Sequence, residues 1–230
     1  MIYLTGDTHG DFSQVVQFLQ KQPTSKDDIL VIMGDAGVNF TAGERDTRLK
    51  AALQQLPITL FCIHGNHEIR PFTIPTYHEV TWHGATAYVE DAYPDLIFAK
   101  DGEIYDLDGK ATVVLGGAYS VDKFYRLKMG YPWWEDEQPS DEIKAYAEAQ
   151  LAARDWKVDT VFSHTTPNKY VPRDMFLQSI DQRLVDDSTE KWLDTIEDRL
   201  TYNHWYAGHF HCEKTIDRLR ILFHDFIEMQ

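Results

Sequence analysis

The chain has little thiol, no surplus of positive charge and no long apolar run. Two cysteines, Cys62 and Cys212, occur among 230 residues. That is too few for a disulfide framework, and Cys62 sits in an apolar stretch, as a core residue of a reducing compartment would. No apolar stretch approaches the roughly 18 residues that a membrane-spanning helix needs. The first residues lack the basic and long apolar regions of a signal peptide and enter an expected strand at once with Ile2 and Leu4. A cytoplasmic protein with no membrane partner is therefore expected. Lys and Arg number 22 against 37 Asp and Glu, a formal charge of -15, which argues against a general attraction to nucleic-acid backbones. Part of the acidity can be ligand carboxylate that bound cations neutralise, and most of it is solvated surface. Repeats, low-complexity tracts and linkers are absent too, so one domain over residues 1–230 is expected.

What is present is a recurring strand, polar loop and helix. Ile2 to Thr5 reads as a strand ending at Gly6-Asp7-Thr8-His9-Gly10-Asp11, and Phe12, Val15, Val16 and Leu19 then fall on one face of an amphipathic helix. Ile29 to Met33 is an apolar strand closed by Gly34-Asp35, with a helix expected over Arg45 to Leu56. Ile58 to Ile63 leads into Gly65-Asn66-His67-Glu68-Ile69-Arg70, where Gly65-Asn66 alone also reads as a hairpin turn. From Thr73 to Ser120 the runs are short and β-rich, with Asp101-Gly102 and Asp108-Gly109 between them, suggesting antiparallel hairpins. A helix with Ser140 as N-cap is expected over Asp141 to Arg154, then a strand, Asp159 to Phe162, ending at Ser163-His164. Asp187 and Glu190 have capping-box spacing at the start of a helix to Leu200. His204 to Ala207 is a strand ending in Gly208-His209-Phe210-His211, and Thr215 to Ile227 reads as a hairpin. An α/β fold with two sheets packed between helical layers accommodates this order.

Five apolar strands thus end in metal-competent side chains: Asp7 and His9, Asp35, Asn66 and His67, His164, and His209 with His211. Taken singly, each cluster also reads as a cap, a turn, a core histidine or an alternating strand. Taken together they require five coincidences of one kind, at the strand ends where ligands of open α/β sheets bind. Carboxylate, imidazole and amide donors suit manganese first, with iron, zinc, nickel or magnesium as alternatives. The donors are too many for one ion, and a carboxylate can bridge two divalent metals about 3.5–4 Å apart, an arrangement that clamps both oxygens of an in-line displacement at phosphorus. Metal-bound water then serves as nucleophile, and a neighbouring imidazole protonates the departing oxygen.

With these residues in that order the chain resembles the calcineurin-like metallophosphoesterases, whose pattern is DxH, GD, GNH followed by D or E, a lone His, and GHxH. The likeness runs from Asp7 to His211. It implies a four-layer α/β/β/α sandwich of two mixed β-sheets flanked by helices. It also implies a dinuclear centre in which Asp7, His9 and His211 hold one metal, Asn66, His164 and His209 hold the other, and Asp35 bridges them. His67 would stand near the leaving group as acid or as an electrostatic clamp.

The blocks around Asp7 and from Gly65 to Arg70 are similar to the serine/threonine protein phosphatase branch, but the block at Asp35 departs from it. That branch continues after GD to Asp-Arg-Gly, whereas here Asp35 is followed by Ala36-Gly37-Val38-Asn39. The resemblance assigns the absent Asp to orienting the histidine and the absent Arg to gripping phosphate. Arg70, Lys123 and Arg126 are the candidate substrate-binding residues, with Tyr119 and Asp122 near them in sequence. Tyr131-Pro132-Trp133-Trp134 is either an aromatic lid or a loop anchored by its tryptophans. The expected activity is hydrolysis of a phosphate monoester, whether small molecule, nucleotide or phosphoprotein. The alternatives are a phosphodiesterase acting on cyclic nucleotides or nucleic-acid ends, and an inactive metal-binding relative.

Overall fold

In the computed structural model, which describes residues 1–176 and 182–230, thirteen strands and five α-helices build two facing sheets. β1 (Ile2–Thr5), β2 (Ile29–Ile32) and β3 (Thr59–Cys62) are four-residue strands buried throughout. They pair in parallel, and their unbroken apolar composition is what a sheet covered on both faces requires. α1 (Ser13–Lys21) and α2 (Glu44–Leu53) are the connections between them. The chain then runs through β4 (Tyr77–Trp82), β5 (Ala85–Glu90) and β6 (Tyr93–Ala99), an antiparallel meander whose last strand joins β3 in parallel.

β7 (Ile104–Leu107) and β8 (Lys110–Leu115) open the second sheet as a hairpin around Asp108-Gly109. Asp101-Gly102, by contrast, is no hairpin turn, because β6 and β7 belong to different sheets and this turn carries the chain across. α3 (Lys123–Met129) and α4 (Asp141–Ala152) follow, then β9 (Thr160–Ser163), α5 (Ser188–Glu197) and β10 (His204–Ala207). β11 (Lys214–Ile216) and β12 (Leu219–Ile221) form the expected hairpin, but β13 (Ile227–Glu228) returns to the first sheet and pairs with β1. The sheet orders are β13-β1-β2-β3-β6-β5-β4 and β11-β12-β10-β9-β8-β7, both mixed.

Alternation along the strands separates three apolar layers. Ile2, Leu4, Val31, Met33 and Phe61 meet Tyr105, Val114, Phe162 and Tyr206 between the sheets. Tyr3, Leu30, Leu60 and Cys62 face outward against Val15, Phe18, Leu49 and Leu53 of α1 and α2. Val113, Val161 and Trp205 pack on Ala147 and Leu151 of α4 and on Leu193 and Ile196 of α5. This is the four-layer α/β/β/α sandwich. Each fully buried Leu, Ile, Val or Phe contributes about 1.5–3 kcal/mol relative to exposure, so the three layers are the main source of stability.

Two local expectations differ from the structure. Val16 is 38% exposed and Phe18 turns inward instead, so the stripe of α1 is Phe12, Val15, Phe18 and Leu19. The capping box at α5 does not form. Asp187 makes no side-chain cap and pairs with Lys191, while Glu190 accepts from Thr165 Oγ1 at 2.8 Å, a tertiary partner that displaces the local one. At α4 the expected cap does form, Ser140 Oγ accepting from Ile143 N. Among the described residues no helix is long and apolar enough to cross a membrane.

Candidate metal centre

β1, β2 and β3 are neighbours in one sheet and β9 and β10 in the other, all five running in parallel within their sheets. Their carboxyl ends therefore open at one end of the sandwich, and the five polar clusters meet there. The loops are tight. Gly34 has φ +100° and a Cβ on it would stand 2.0 Å from His164 Nδ1, while a Cβ on Gly65 would stand 2.0 Å from Asp35 Oδ1. Only glycine lets the loops approach so closely. His9, Asp35, His209 and His211 all adopt positive φ, an uncommon backbone state that concentrates at functional sites.

The donor atoms fall into two groups. In the first, His211 Nε2 lies 2.8 Å from His9 Nε2 and 3.3 Å from Asp7 Oδ2, with His9 Nε2 3.9 Å from the same oxygen. In the second, Asn66 Oδ1 lies 2.8 Å from His164 Nε2 and 3.0 Å from His209 Nδ1. Asp35 Oδ2 stands between the groups, 3.9 Å from His9 Nδ1 and 3.6 Å from His164 Nε2. Donors bound about 2.0–2.2 Å from one divalent ion lie roughly 3–3.5 Å from one another, which is close to the spacing within each group.

Hydrogen-bond chemistry makes the same point. His164 Nδ1 is 2.7 Å from the Met33 carbonyl, so it carries the proton there, and in the neutral ring Nε2 presents a lone pair. That lone pair faces Asn66 Oδ1, whose own orientation is set because Asn66 Nδ2 donates to Ser120 Oγ at 2.8 Å. Two acceptors aimed at one point are repulsive alone and complementary to a cation. Asp7 Oδ2 is likewise buried and faces His211 Nε2 at 3.3 Å, while Asp7 Oδ1 accepts from His209 N at 2.9 Å. Burial pushes the Asp7 carboxyl up, but the His211, His164 and His9 imidazoles overcome it and bring it down to about 2. Burial also holds His209 well below the usual histidine range, in the neutral form a ligand needs, whereas the bond to Asp7 raises His211.

His67 stands at the mouth of a cavity of about 420 Å³ that Asp35, Asn66, Asp122, His209 and His211 also line. Its N–H donates to Asp35 Oδ1 at 2.7 Å, and its Nε2 lies 3.8 Å from Asp122 Oδ1. Burial lowers its pKa, as does the Arg126 charge, while Asp35 and Asp122 oppose the shift. Glu68, directly after it, is fully buried and accepts from Gly65 N at 3.0 Å. Burial and Asp35 raise its pKa to about 8 against that and other backbone N–H groups. A larger cavity of about 670 Å³ lies between Asn203 and Gln230 and shares none of these side chains.

The three basic candidates separate. Arg70 turns into the protein, where Nη1 pairs with Asp101 at 2.6 Å and Nε donates to the Asp136 carbonyl. Two of its donors are thus engaged inside the framework, its Nη2 is buried without an acceptor among the described residues, and its side chain does not line the cavity beside His67. Lys123 lays its ammonium 4.0 Å from the Trp133 ring centre. Arg126 is 3% exposed, stacked near Phe40 and Trp134. Trp133 Nε1 donates to Glu137 Oε2 at 2.8 Å, so the tryptophans anchor their loop and do not form the cavity wall. Sequence reasoning passes over Ser120 and Glu137, which no motif marks. Glu137 Oε1 accepts from Ser120 N at 3.1 Å, and Ser120 in turn fixes the Asn66 amide.

The family model described as calcineurin-like phosphoesterase matches residues 1–213, and the chain belongs to that family. It is accordingly a phosphoric ester hydrolase that depends on metal. A crystal structure with a TM-score of 0.55 is similar over 96% of this chain and 88% of its own, at 12% identity. TT1561 of Thermus thermophilus gives a TM-score of 0.51 over 96% of this chain and 87% of that one, also at 12% identity. A serine/threonine phosphatase from Saccharomyces cerevisiae, with similarity to human phosphatase PP5, gives 0.34 at 15% identity over 96% and 66% of the two chains. The two nearer likenesses concern the fold. No curated protein matches the chain.

Proposed function

We propose that the protein is a dinuclear, manganese-dependent phosphatase that hydrolyses a phosphate monoester of a small molecule, nucleotide or phosphoprotein. The carrying observation is the two groups of donor atoms meeting at Asp35, with His164 Nε2 and Asn66 Oδ1 converging to 2.8 Å. Asp7, His9 and His211 would hold one ion, Asn66, His164 and His209 the other, and Asp35 would belong to both. When bound, the ions supply Lewis-acid activation of water and neutralise charge on the phosphoryl oxygens.

The remaining work falls to the chain. Asp7 and Asp35 bring negative charge that cations balance, and the Met33 carbonyl and Ser120 hydroxyl keep His164 and Asn66 aimed inward. His67 stands where the leaving oxygen departs into the cavity, and as imidazolium it transfers its proton to that oxygen. The space around the donors is unequal: about 420 Å³ beyond His67 and about 160 Å³ beside Asp7 and His9. The larger space, on the His67 side, is where the reading seats the organic group of the ester.

The test is a side-by-side assay of p-nitrophenyl phosphate and bis(p-nitrophenyl) phosphate with the purified protein and manganese. The reading expects a higher kcat/KM for the monoester. A higher value for the diester would reverse it, and turnover that survives full metal removal would sink the metal-dependent mechanism.

A further inference from the structure

The stretch after Asp35 contributes no charge to the site, because Ala36, Gly37, Val38 and Asn39 carry none. Two charged side chains of α3 act on His67 from another direction, Asp122 by proximity and Arg126 through its charge. Asp122 stands at the N-cap of α3, a position where aspartate ordinarily caps, yet its side chain makes no capping bond. Instead its Oδ1, buried and without a donor among the described residues, lies 3.8 Å from His67 Nε2. Such a separation is long for a hydrogen bond, and catalytic pairs commonly tighten only when substrate is present. One helical turn further on, the same face carries Arg126. Its side chain is buried against Phe40 and Trp134, and its Nη1 has no acceptor among the described residues. A buried guanidinium donor without a partner is costly, and an anion is what would satisfy it.

Resting on the phosphatase reading above, we propose that α3 completes the site: Arg126 Nη1 binds a free phosphoryl oxygen, and Asp122 positions the His67 ring. Phe40 and Trp134 hold the guanidinium plane in place, which limits what Arg126 loses in freedom on binding. Since a monoester offers one more free oxygen than a diester, Arg126 is also a determinant of that preference. Lys123 takes no part, its ammonium being on Trp133.

The experiment is calorimetric titration of inorganic phosphate into the manganese-loaded wild type, Arg126→Met and Asp122→Asn, with kcat and KM for p-nitrophenyl phosphate on the same preparations. Metal content and circular dichroism are measured for each. A charge-assisted hydrogen bond corresponds to about a tenfold to hundredfold change in binding. Arg126→Met should weaken phosphate binding and raise KM by that factor, with a smaller fall in kcat. Asp122→Asn should keep phosphate affinity within about threefold while kcat falls about tenfold or more. Arg126→Gln, which keeps polarity without charge, gives the same reading if the methionine unsettles the fold. Phosphate affinity within threefold of wild type in a folded Arg126 variant, or unchanged kcat in Asp122→Asn, overturns the inference. If the wild type cleaves the ester and the variants are indifferent, only this inference fails. If it neither binds phosphate nor cleaves either ester, the functional reading fails and takes the inference with it.

Discussion

Among the donors on either side of Asp35, the two histidines beside buried Asp7 are open to water, whereas His164 and Asn66, beside half-buried His209, are not. His164 and Asn66 are 0% and 1% exposed, and each is aimed by a second partner, the Met33 carbonyl and Ser120 Oγ. The side chains of His9 and His211 are 35% and 47% exposed, and their rings are steadied by packing, His9 edge-on to His67 and His211 stacked on Phe223. A buried, pre-aimed set loses little freedom on binding and shields its ion from competing water, whereas an open set exchanges readily. On the proposed dinuclear reading, the fold would supply a retained position and a labile one on either side of Asp35.

The comparison breaks most completely at the shared residue. Asp35→Asn removes charge from both groups at once, so metal content should fall from two per chain to one or fewer and kcat/KM by on the order of a thousandfold, the size of several kcal/mol of Lewis-acid stabilisation. Elemental analysis of dialysed protein, with the monoester assay, reads both. A variant retaining two ions and near-normal turnover would remove Asp35 from the bridging position.

A timed chelator challenge sharpens the difference between the groups. In the wild type one equivalent of manganese should leave at least about tenfold faster than the second, following the outer-partner effect on metal affinity. His164→Ala should abolish the slow phase and spare the fast one, and His9→Ala should do the reverse. Release of both ions in a single phase would erase the distinction drawn from burial.

The same contrast explains what could be read from the sequence. Every proposed ligand lies at the end of a short apolar strand or in the tight loop after it, so hydrophobic runs and glycine-punctuated polar clusters marked β1, β2, β3, β9 and β10. What escaped were contacts between distant segments. Ser120 aims Asn66 across 54 positions of sequence, and Arg70 turns from the site to Asp101 because a buried carboxylate awaits it there. Glu190 deserts its cap for Thr165, and β5, whose Ala-Thr-Ala-Tyr-Val-Glu run alternates weakly, pairs only because β4 and β6 flank it. Residue type announces the donors, while tertiary neighbours decide which way each points.

The smallest expected effect lies in the support of the buried group. Glu137 Oε1 accepts from Ser120 N and Oε2 from Trp133 Nε1, yet burial raises its pKa above the ordinary 4.5 in spite of those bonds and the Lys123 charge. The folded protein therefore holds this proton more tightly than the unfolded chain. Between the two pKa values the folded state binds more protons, so stability falls as pH rises through that window. The contribution is complete below about pH 4.5 and is lost as the folded group ionises. Glu137→Gln keeps an acceptor for Ser120 and cannot ionise, at the cost of setting an amide N–H toward Trp133. Its melting temperature should start lower than wild type by a few degrees near pH 5, for a loss of about 1 kcal/mol, and the gap should narrow toward pH 8. A gap that widens with pH would mean the ionised Glu137 is favoured by its donors, and that Ser120, and through it Asn66, is held by charge.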